Sequence, residues 1–329
     1  MNGPGALVIS LDFELMWGVH DRTSGASYER NIRGVREAVP RILELFSQYD
    51  VHATWSTVGF LFYSDKSSLL ADLPDMLPSY KDVRLNPYLY MQSNLGEVGP
   101  SDRYHFAPDL IQQIVQTPGQ RVGTHTFSHY YCLAEGQSTD TFQADLRAAL
   151  RIAERTGIRI ESIVFPRNQV MPEYVEICKQ LGVRSYRGNP PVWMYRHTED
   201  ETDSLAKRMA RLLDAYLPLT SPVTLSWSEV NEGGMSNVRA SRFLRPYSDK
   251  LRWLDRLRLR RIQSELTLAA KREQIYHLWW HPHNFGINLE QNLHFLQQIL
   301  EHVRTLRTQH GMVSMNMEEV RNYVNATLR

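Results

Sequence analysis

Three strand-like runs in this chain each end in polar, titratable side chains, and that repetition limits the folds open to it. The first, Ala6-Leu7-Val8-Ile9-Ser10, runs into Leu11-Asp12-Phe13-Glu14. The second, Gln120-Arg121-Val122-Gly123, runs into Thr124-His125-Thr126-Phe127-Ser128-His129. The third, Leu278-Trp279-Trp280, ends in His281-Pro282-His283-Asn284. Buried strands that deliver chemistry at one end are expected of an α/β enzyme whose site lies at the carboxyl ends of its strands.

Between these runs the chain repeats strand, polar loop and helix. Its 329 residues, 42% of them hydrophobic, can bury a sizeable core. The spacing of Val35, Ala38, Val39, Ile42, Leu43 and Phe46 predicts a helix over 31–48, with Pro40 inside it or marking its start. Val51 to Val58 reads as a strand. Helices are expected at 108–116, 140–156 and 172–181, with strands at 120–123, 162–165 and 183–187. Such units imply parallel strands. Residues 64–104 lose the period at Pro74, Pro78, Pro87 and Pro100. They read as an insertion, helical at 68–77, that covers one side of the site. Further helices are expected at 199–219, 247–273, 291–306 and 317–324, with a strand at 223–227. The expectation is one domain spanning 1–329, with insertions at about 64–104 and 199–273.

A net charge of +1 predicts no general attraction to nucleic acid. Cys132 and Cys178 give no disulfide framework and suit a reducing compartment. Cys132 lies close to His129 in sequence, but a buried structural thiol is the better expectation. No run has the length of a membrane span, and no basic segment precedes a long apolar stretch. A soluble, cytoplasmic protein is therefore expected. One stretch offers contact with a membrane surface or with phosphates. Lys250, Arg252, Arg256, Arg258, Arg260 and Arg261 crowd the first half of the 247–273 helix, and Arg242 and Arg245 precede it. The plainer reading of those charges is the solvated face of a packed helix.

His125 and His129 share a face if the segment after Thr124 turns helically. In a strand, positions two apart point the same way, so Asp12 and Glu14 can face one site together. Two imidazoles and one carboxylate suit a divalent ion, zinc or similar, with a coordination position left for water. Such an ion lowers the pKa of water and polarises a carbonyl. Amide hydrolysis also needs a base for the water and an acid for the departing nitrogen, and Asp12 and His281 are the natural candidates.

At these places the chain resembles the polysaccharide deacetylases of carbohydrate esterase family 4. Ser10-Leu11-Asp12-Phe13-Glu14 is similar to the first motif, in the variant that spaces its acids by one residue. Ala53-Thr54-Trp55-Ser56-Thr57-Val58-Gly59 resembles the second strand, Thr124-His125-Thr126-Phe127-Ser128-His129 the histidine motif, and Leu278-Trp279-Trp280-His281-Pro282 the last motif. The resemblance implies a distorted (β/α)7-type, TIM-like barrel. It implies Asp12 as base, His281 as acid, and Glu14, His125 and His129 as ligands of one divalent metal, zinc being the expected ion. The family's third motif places an arginine two residues before its proline to steady the base. Val164 stands there, and Arg167 follows the proline instead, to steady Asp12 from the other side, bind substrate or form a surface ion pair. Trp193 is one candidate for the tryptophan of the fourth motif, whose place is not marked in this sequence, and His283 is an extra imidazole able to exchange roles with His281.

The substrate the resemblance implies is an N-acylated amino sugar. With no export signal, the expectation narrows to an intermediate of surface polysaccharide synthesis carried on a nucleotide or polyprenyl phosphate. Trp55, Trp279, Arg167 and His283 are expected to line its site. Two other readings remain: a cyclic amide or imide hydrolase with a small closed pocket, and a catalytically silent carbohydrate-binding relative. Retention of Asp12, Glu14, His125, His129 and His281 together argues against the last.

Overall fold

The computed structural model describes residues 3–21, 25–95, 102–195 and 205–327. The first strand, β1 (Ala6–Phe13), is buried along its whole length. Helix α1 (Gly25–Tyr49) runs through Pro40 and returns the chain to β2 (Ala53–Thr57). The insertion carries α2 (Lys66–Leu70) and α3 (Pro87–Asn94). Next come α4 (Pro108–Gln116), β3 (Gln120–Thr124), α5 (Thr139–Arg155) and β4 (Ser162–Ile163). They are followed by α6 (Pro172–Gln180), β5 (Ser185–Tyr186) and α7 (Leu205–Tyr216). A hairpin of β6 (Asn231–Glu232) and β7 (Met235–Asn237) leads to β8 (Arg242–Phe243). The chain ends in α8 (Asp255–Lys271), β9 (Ile275–Trp280), α9 (Leu289–His310), β10 (Val313–Met315) and α10 (Met317–Thr327).

The strands form one curled sheet in the order β6-β7-β5-β4-β3-β2-β1-β9-β8, with β10 alongside the first half of β1. Every pairing named in this sheet is parallel except β6–β7. One extended segment closes the curl: β7 pairs with β5, and β8, a few residues on, pairs with β9. Between them the Ala240 N–H donates to the Gly188 carbonyl (2.9 Å) and the Ser241 N–H to that of His277 (2.8 Å). The staves are therefore β1, β2, β3, β4, β5, the β7–β8 segment and β9, a distorted (β/α)7 barrel as the sequence rhythm predicts.

Alternation along β1 sorts its side chains between two environments. Leu7, Ile9, Leu11 and Phe13 join the main core beneath the outer helices, with Phe46 of α1 and Ile299 of α9. The other parity carries Ala6, Val8, Ser10 and Asp12. Ala6 and Val8 belong to a separate apolar cluster with Trp227 and Met317. Ser10 and Asp12 continue that face towards the carboxyl end, where buried Thr54, Ser56, Ser162, Ser185 and His277 supply short or polar side chains from the other staves.

Several elements differ from expectation for local reasons. In the insertion the helix stops at Leu70 rather than reaching 77; Asp65 caps its start by accepting from the Ser68 N–H (2.7 Å), and Pro74 and Pro78 follow. The strand expected at 223–227 reduces to one antiparallel bridge between Leu225 and Ile275. The 199–219 helix is present as α7 over 205–216, and its expected first residues, 199–204, lie outside the described residues.

The basic helix is also corrected. Arg258 and Arg261 turn inward: Arg258 pairs with Asp255 (2.9 Å) and lies over the Phe295 ring, while Arg261 pairs with Asp214 and Glu265 (both 3.2 Å). Arg242 is buried in a two-pronged pair with Glu265 (2.8 and 2.6 Å). The continuous basic face expected over 250–261 is thus broken, because two of its five guanidinium groups, Arg258 and Arg261, turn inward to carboxylates. Among the described residues no helix is long and apolar enough to cross a membrane.

Two glycines set how closely α1 approaches the turn after β9. A Cβ on Gly34 would sit on the Gly286 carbonyl, and one on Gly286 would sit on that of Asn31. The Asn31 side-chain amide also donates to the His283 carbonyl (3.1 Å). Gly34→Ala should force this contact apart and lower stability by about 2 kcal/mol, read as a lower urea midpoint. An unchanged midpoint would show that the contact gives way freely.

Candidate metal and hydrolytic site

The two histidines converge without a helix. After β3 the chain leaves Thr124 in an irregular turn, with Thr126 at φ 65° and His129 at φ 60°. The expectation that a helical turn aligns them is therefore corrected. Left-handed backbone is costly for residues other than glycine and persists where surroundings enforce it. Here Asp145 of α5, fully buried, accepts from the backbone N–H of Phe127 (2.7 Å) and Ser128 (3.2 Å) and from the Ser128 hydroxyl. The Thr126 hydroxyl accepts from the Tyr130 N–H (2.7 Å). Burial pushes the Asp145 carboxyl up to about 7.

His125 Nδ1 lies 2.8 Å from the Val164 carbonyl, which can only accept, so that nitrogen carries a proton and Nε2 is the ring atom turned into the cluster. That Nε2 faces Glu14 Oε2 at 3.3 Å, and His129 Nε2 faces the same oxygen at 3.1 Å. The ligand atoms of Glu14, His125 and His129 all lie within 4.8 Å of one another. Burial lowers His129 to about 4, so that ring is neutral near pH 7. Burial opposes ionisation of Glu14, but His281, His125 and His129 outweigh it and hold the carboxyl well below its usual value. Two imidazole Nε2 atoms converging on one oxygen of an ionised carboxylate fit a bound cation. The long Glu14 arm is accommodated by Gly18, where a Cβ would collide with its carboxylate.

Asp12 has a partner that the sequence reading missed. Arg187, at the end of β5 and fully buried, grips both carboxylate oxygens at 2.7 Å. The same guanidinium donates to Ser10 Oγ (2.9 Å) and Asn168 Oδ1 (2.8 Å) and lies 4.1 Å over the Trp279 ring. Burial would raise the Asp12 carboxyl; Arg187, with His125 and His281, holds it below its usual value. Arg167, the expected partner, instead pairs with Asp21 and stacks 4.3 Å over Tyr131, out at the rim. The signal available in the sequence was an arginine closing the predicted 183–187 strand just before Gly188.

His281 stands across from these groups. Its Nε2 is 3.8 Å from Asp12 Oδ2 and 3.6 Å from Glu14 Oε1, and its side chain is 24% exposed, the only one of the five predicted site residues with substantial access to solvent. Trp279 and Phe243 flank it, with ring centroids 5.6 and 5.9 Å away. His283 is buried, stacks on His281 at 4.9 Å and points Nδ1 towards Glu14 Oε1 at 4.0 Å. The insertion closes another side: Tyr80 packs on Tyr131, whose ring meets that of His129 edge-on at 5.1 Å. Trp55 does not line the site. Its register partner is Leu11, not Asp12, so its ring is fully buried between Phe13 and Phe46. Trp193 is 55% exposed and has no contact with this cluster. Cys132 is a buried free thiol pushed well up by burial, in an apolar cluster with Phe142 and Cys178.

Arg187→Met removes the largest influence that opposes burial at Asp12. The carboxyl should then titrate at higher pH, so the acid limb of the kcat/KM profile should move to higher pH and kcat should fall about a hundredfold or more. Stopped-rate assays from pH 4 to 9 would check it; an unmoved acid limb would remove Arg187 from this role.

Comparison with known proteins places these observations in context. The polysaccharide deacetylase family model matches residues 25–186. No curated protein sequence matches the chain. Among solved structures, a Mycobacterium smegmatis protein assigned as a polysaccharide deacetylase superposes with a TM-score of 0.59 at 13% identity, over 99% of this chain and 92% of that one. The PuuE allantoinase gives 0.55 at 14% identity, over 98% and 91%. A Pseudomonas aeruginosa PAO1 protein assigned to the same deacetylases gives 0.51 at 11%, over 97% and 90%. At these identities the superpositions show a shared fold.

Proposed function

We propose that this chain, matched by the polysaccharide deacetylase family model over residues 25–186, hydrolyses the N-acyl group, acetyl or formyl, of an amino sugar with the help of one divalent cation. The observation that carries the reading is that Asp12 and His281, 3.8 Å apart, both stand beside the Glu14–His125–His129 cluster, with His281 Nε2 3.6 Å from Glu14 Oε1. Glu14, His125 and His129 would hold the ion, zinc being the expected one. When bound there, it supplies a Lewis acid for the acyl carbonyl.

The chain's own residues supply the proton transfers. Asp12, kept ionised by Arg187, takes a proton from the attacking water. His281, the more exposed imidazole, gives one to the departing amine. The stacked His283 fixes the plane of the His281 ring. Trp279 and Phe243 offer apolar faces beside the acid, suited to the ring of a sugar. An amino sugar still attached to a phosphate carrier is the substrate form we favour.

Two measurements test this. Purified protein should hold close to one equivalent of divalent metal by elemental analysis, and His125→Ala should lose it. Wild-type protein that takes up no divalent metal when supplied would end the hydrolase reading in favour of a carbohydrate-binding relative. Asp12→Asn should keep its metal while losing about a thousandfold or more of the acetate or formate release from N-acyl sugar nucleotides and lipid-linked sugars. Full turnover of a cyclic amide with none of these sugars would instead assign the site to small cyclic substrates.

A further inference from the structure

Helix α7 presents an apolar stripe to solvent that no described element covers. Leu205 is 72% exposed, Met209 and Leu213 46% each, and Leu217 47%. These residues are four apart, so they align along one face. The Leu217 N–H donates to the Leu213 carbonyl (2.8 Å), which continues the helical spacing past Tyr216. Leu219, just beyond, is 56% exposed. The helix lies against α8, joined to it by the Arg261–Asp214 pair at 3.2 Å. On and just before α8, Trp253 is 73% and Leu257 40% exposed. Isolated exposed leucines are ordinary, but a one-sided stripe beside an exposed tryptophan is not.

Among the described residues the charges around this apolar surface have one dominant sign. Within 205–219 the cations are Lys207, Arg208 and Arg211, and the lone acid, Asp214, is buried against Arg242 and Arg261. Around Trp253, Lys250, Arg252, Arg256 and Arg260 are exposed, Asp255 is paired with Arg258, and Asp249 is the remaining acid. We propose that α7 together with the Asp249–Arg260 segment docks on an anionic lipid surface, with Leu205, Met209, Leu213, Leu217 and Trp253 entering the headgroup boundary.

Charge favours lipid over a second copy of this chain. A two-fold contact through this face would bring cationic rims together, whereas an anionic bilayer neutralises them and accepts the leucines and tryptophan. The exposed cations also find a place here that the buried Arg258 and Arg261 cannot fill. The Asp249–Leu254 turn follows β8 at its carboxyl end, the end that bears His281 on neighbouring β9. On the function proposed above, docking would hold that end of the barrel near a lipid-carried sugar; the docking itself does not depend on that function.

The test is sedimentation of the full chain with vesicles of phosphatidylcholine containing about one-third phosphatidylglycerol, beside pure phosphatidylcholine, at low and high salt. Wild type should pellet with the anionic vesicles and be released by salt. The double substitution Met209→Glu and Leu213→Glu should lower the bound fraction at least tenfold, with metal content and turnover of a water-soluble N-acyl sugar unchanged. Wild type that stays in solution with anionic vesicles, or a double variant that binds as well, would overturn the proposal. So would a dimer in analytical ultracentrifugation that the same substitutions abolish, which would assign the stripe to self-association. Loss of turnover with docking intact would count against the proposed function alone.

Discussion

The Asp12–Arg187 pair is the constraint around which the interior of this barrel is arranged. Both groups are buried, and ions removed from water are costly unless fully partnered. Arg187 meets that condition through Asp12, Ser10, Asn168 and the face of Trp279, which come from β1, the loop after β4 and β9. The pair also orders its neighbours. Burial and the nearby Arg187 lower His277 to about 3, so that ring is neutral. Its Nδ1 donates to the Val238 carbonyl, which leaves Nε2 to accept from Ser10 Oγ, the oxygen that itself accepts from Arg187. A run of hydrogen bonds with fixed direction thus leads from the β7–β8 segment to the base.

How much of this was legible in the sequence depends on whether the signal was local. The strands that end in Asp12, His125 and His281 were legible because an apolar run followed by polar groups is a local pattern. Arg187 was not, since its role depends on where β5 lies relative to β1, with three strands between them in the sheet order. Trp55 shows how narrow the margin is. Its position on β2 was right, but Ser56 rather than Trp55 is level with Asp12, and one residue of register separates the site from the core. The arginines of α8 failed for a different reason. A charge run reads alike whether solvated or internal, and the acids that draw Arg258 and Arg261 inward include one, Asp214, from another helix.

The histidine motif combines both cases. Its residues were legible, but its backbone was not. Spacing of four suggested a helical face, yet left-handed backbone at Thr126 and His129 turns the segment out of a helical path. What holds that shape is Asp145, sixteen or more residues further on, whose carboxylate occupies the N–H groups of Phe127 and Ser128. The ligands are therefore placed by α5 as well as by β3. A segment pinned through its backbone between two ligands resists displacement better than one fixed by side-chain packing alone.

Charge balance explains why such a centre suits hydrolysis. Asp12 and Arg187 cancel, and imidazoles that hold a metal ion do so as neutral rings, which would leave the ionised Glu14 as the one unbalanced charge among these groups. A single negative charge among neutral imidazoles attracts a cation without binding it so fully that it ceases to be electrophilic. A divalent ion would leave the cluster with one net positive charge, which favours the negative charge that develops on an acyl oxygen as water adds. A second ionised acid in the ligand set would cancel that surplus. Confining the second carboxylate, Asp12, to a partnership with Arg187 keeps it out of the ligand set and available to accept a proton.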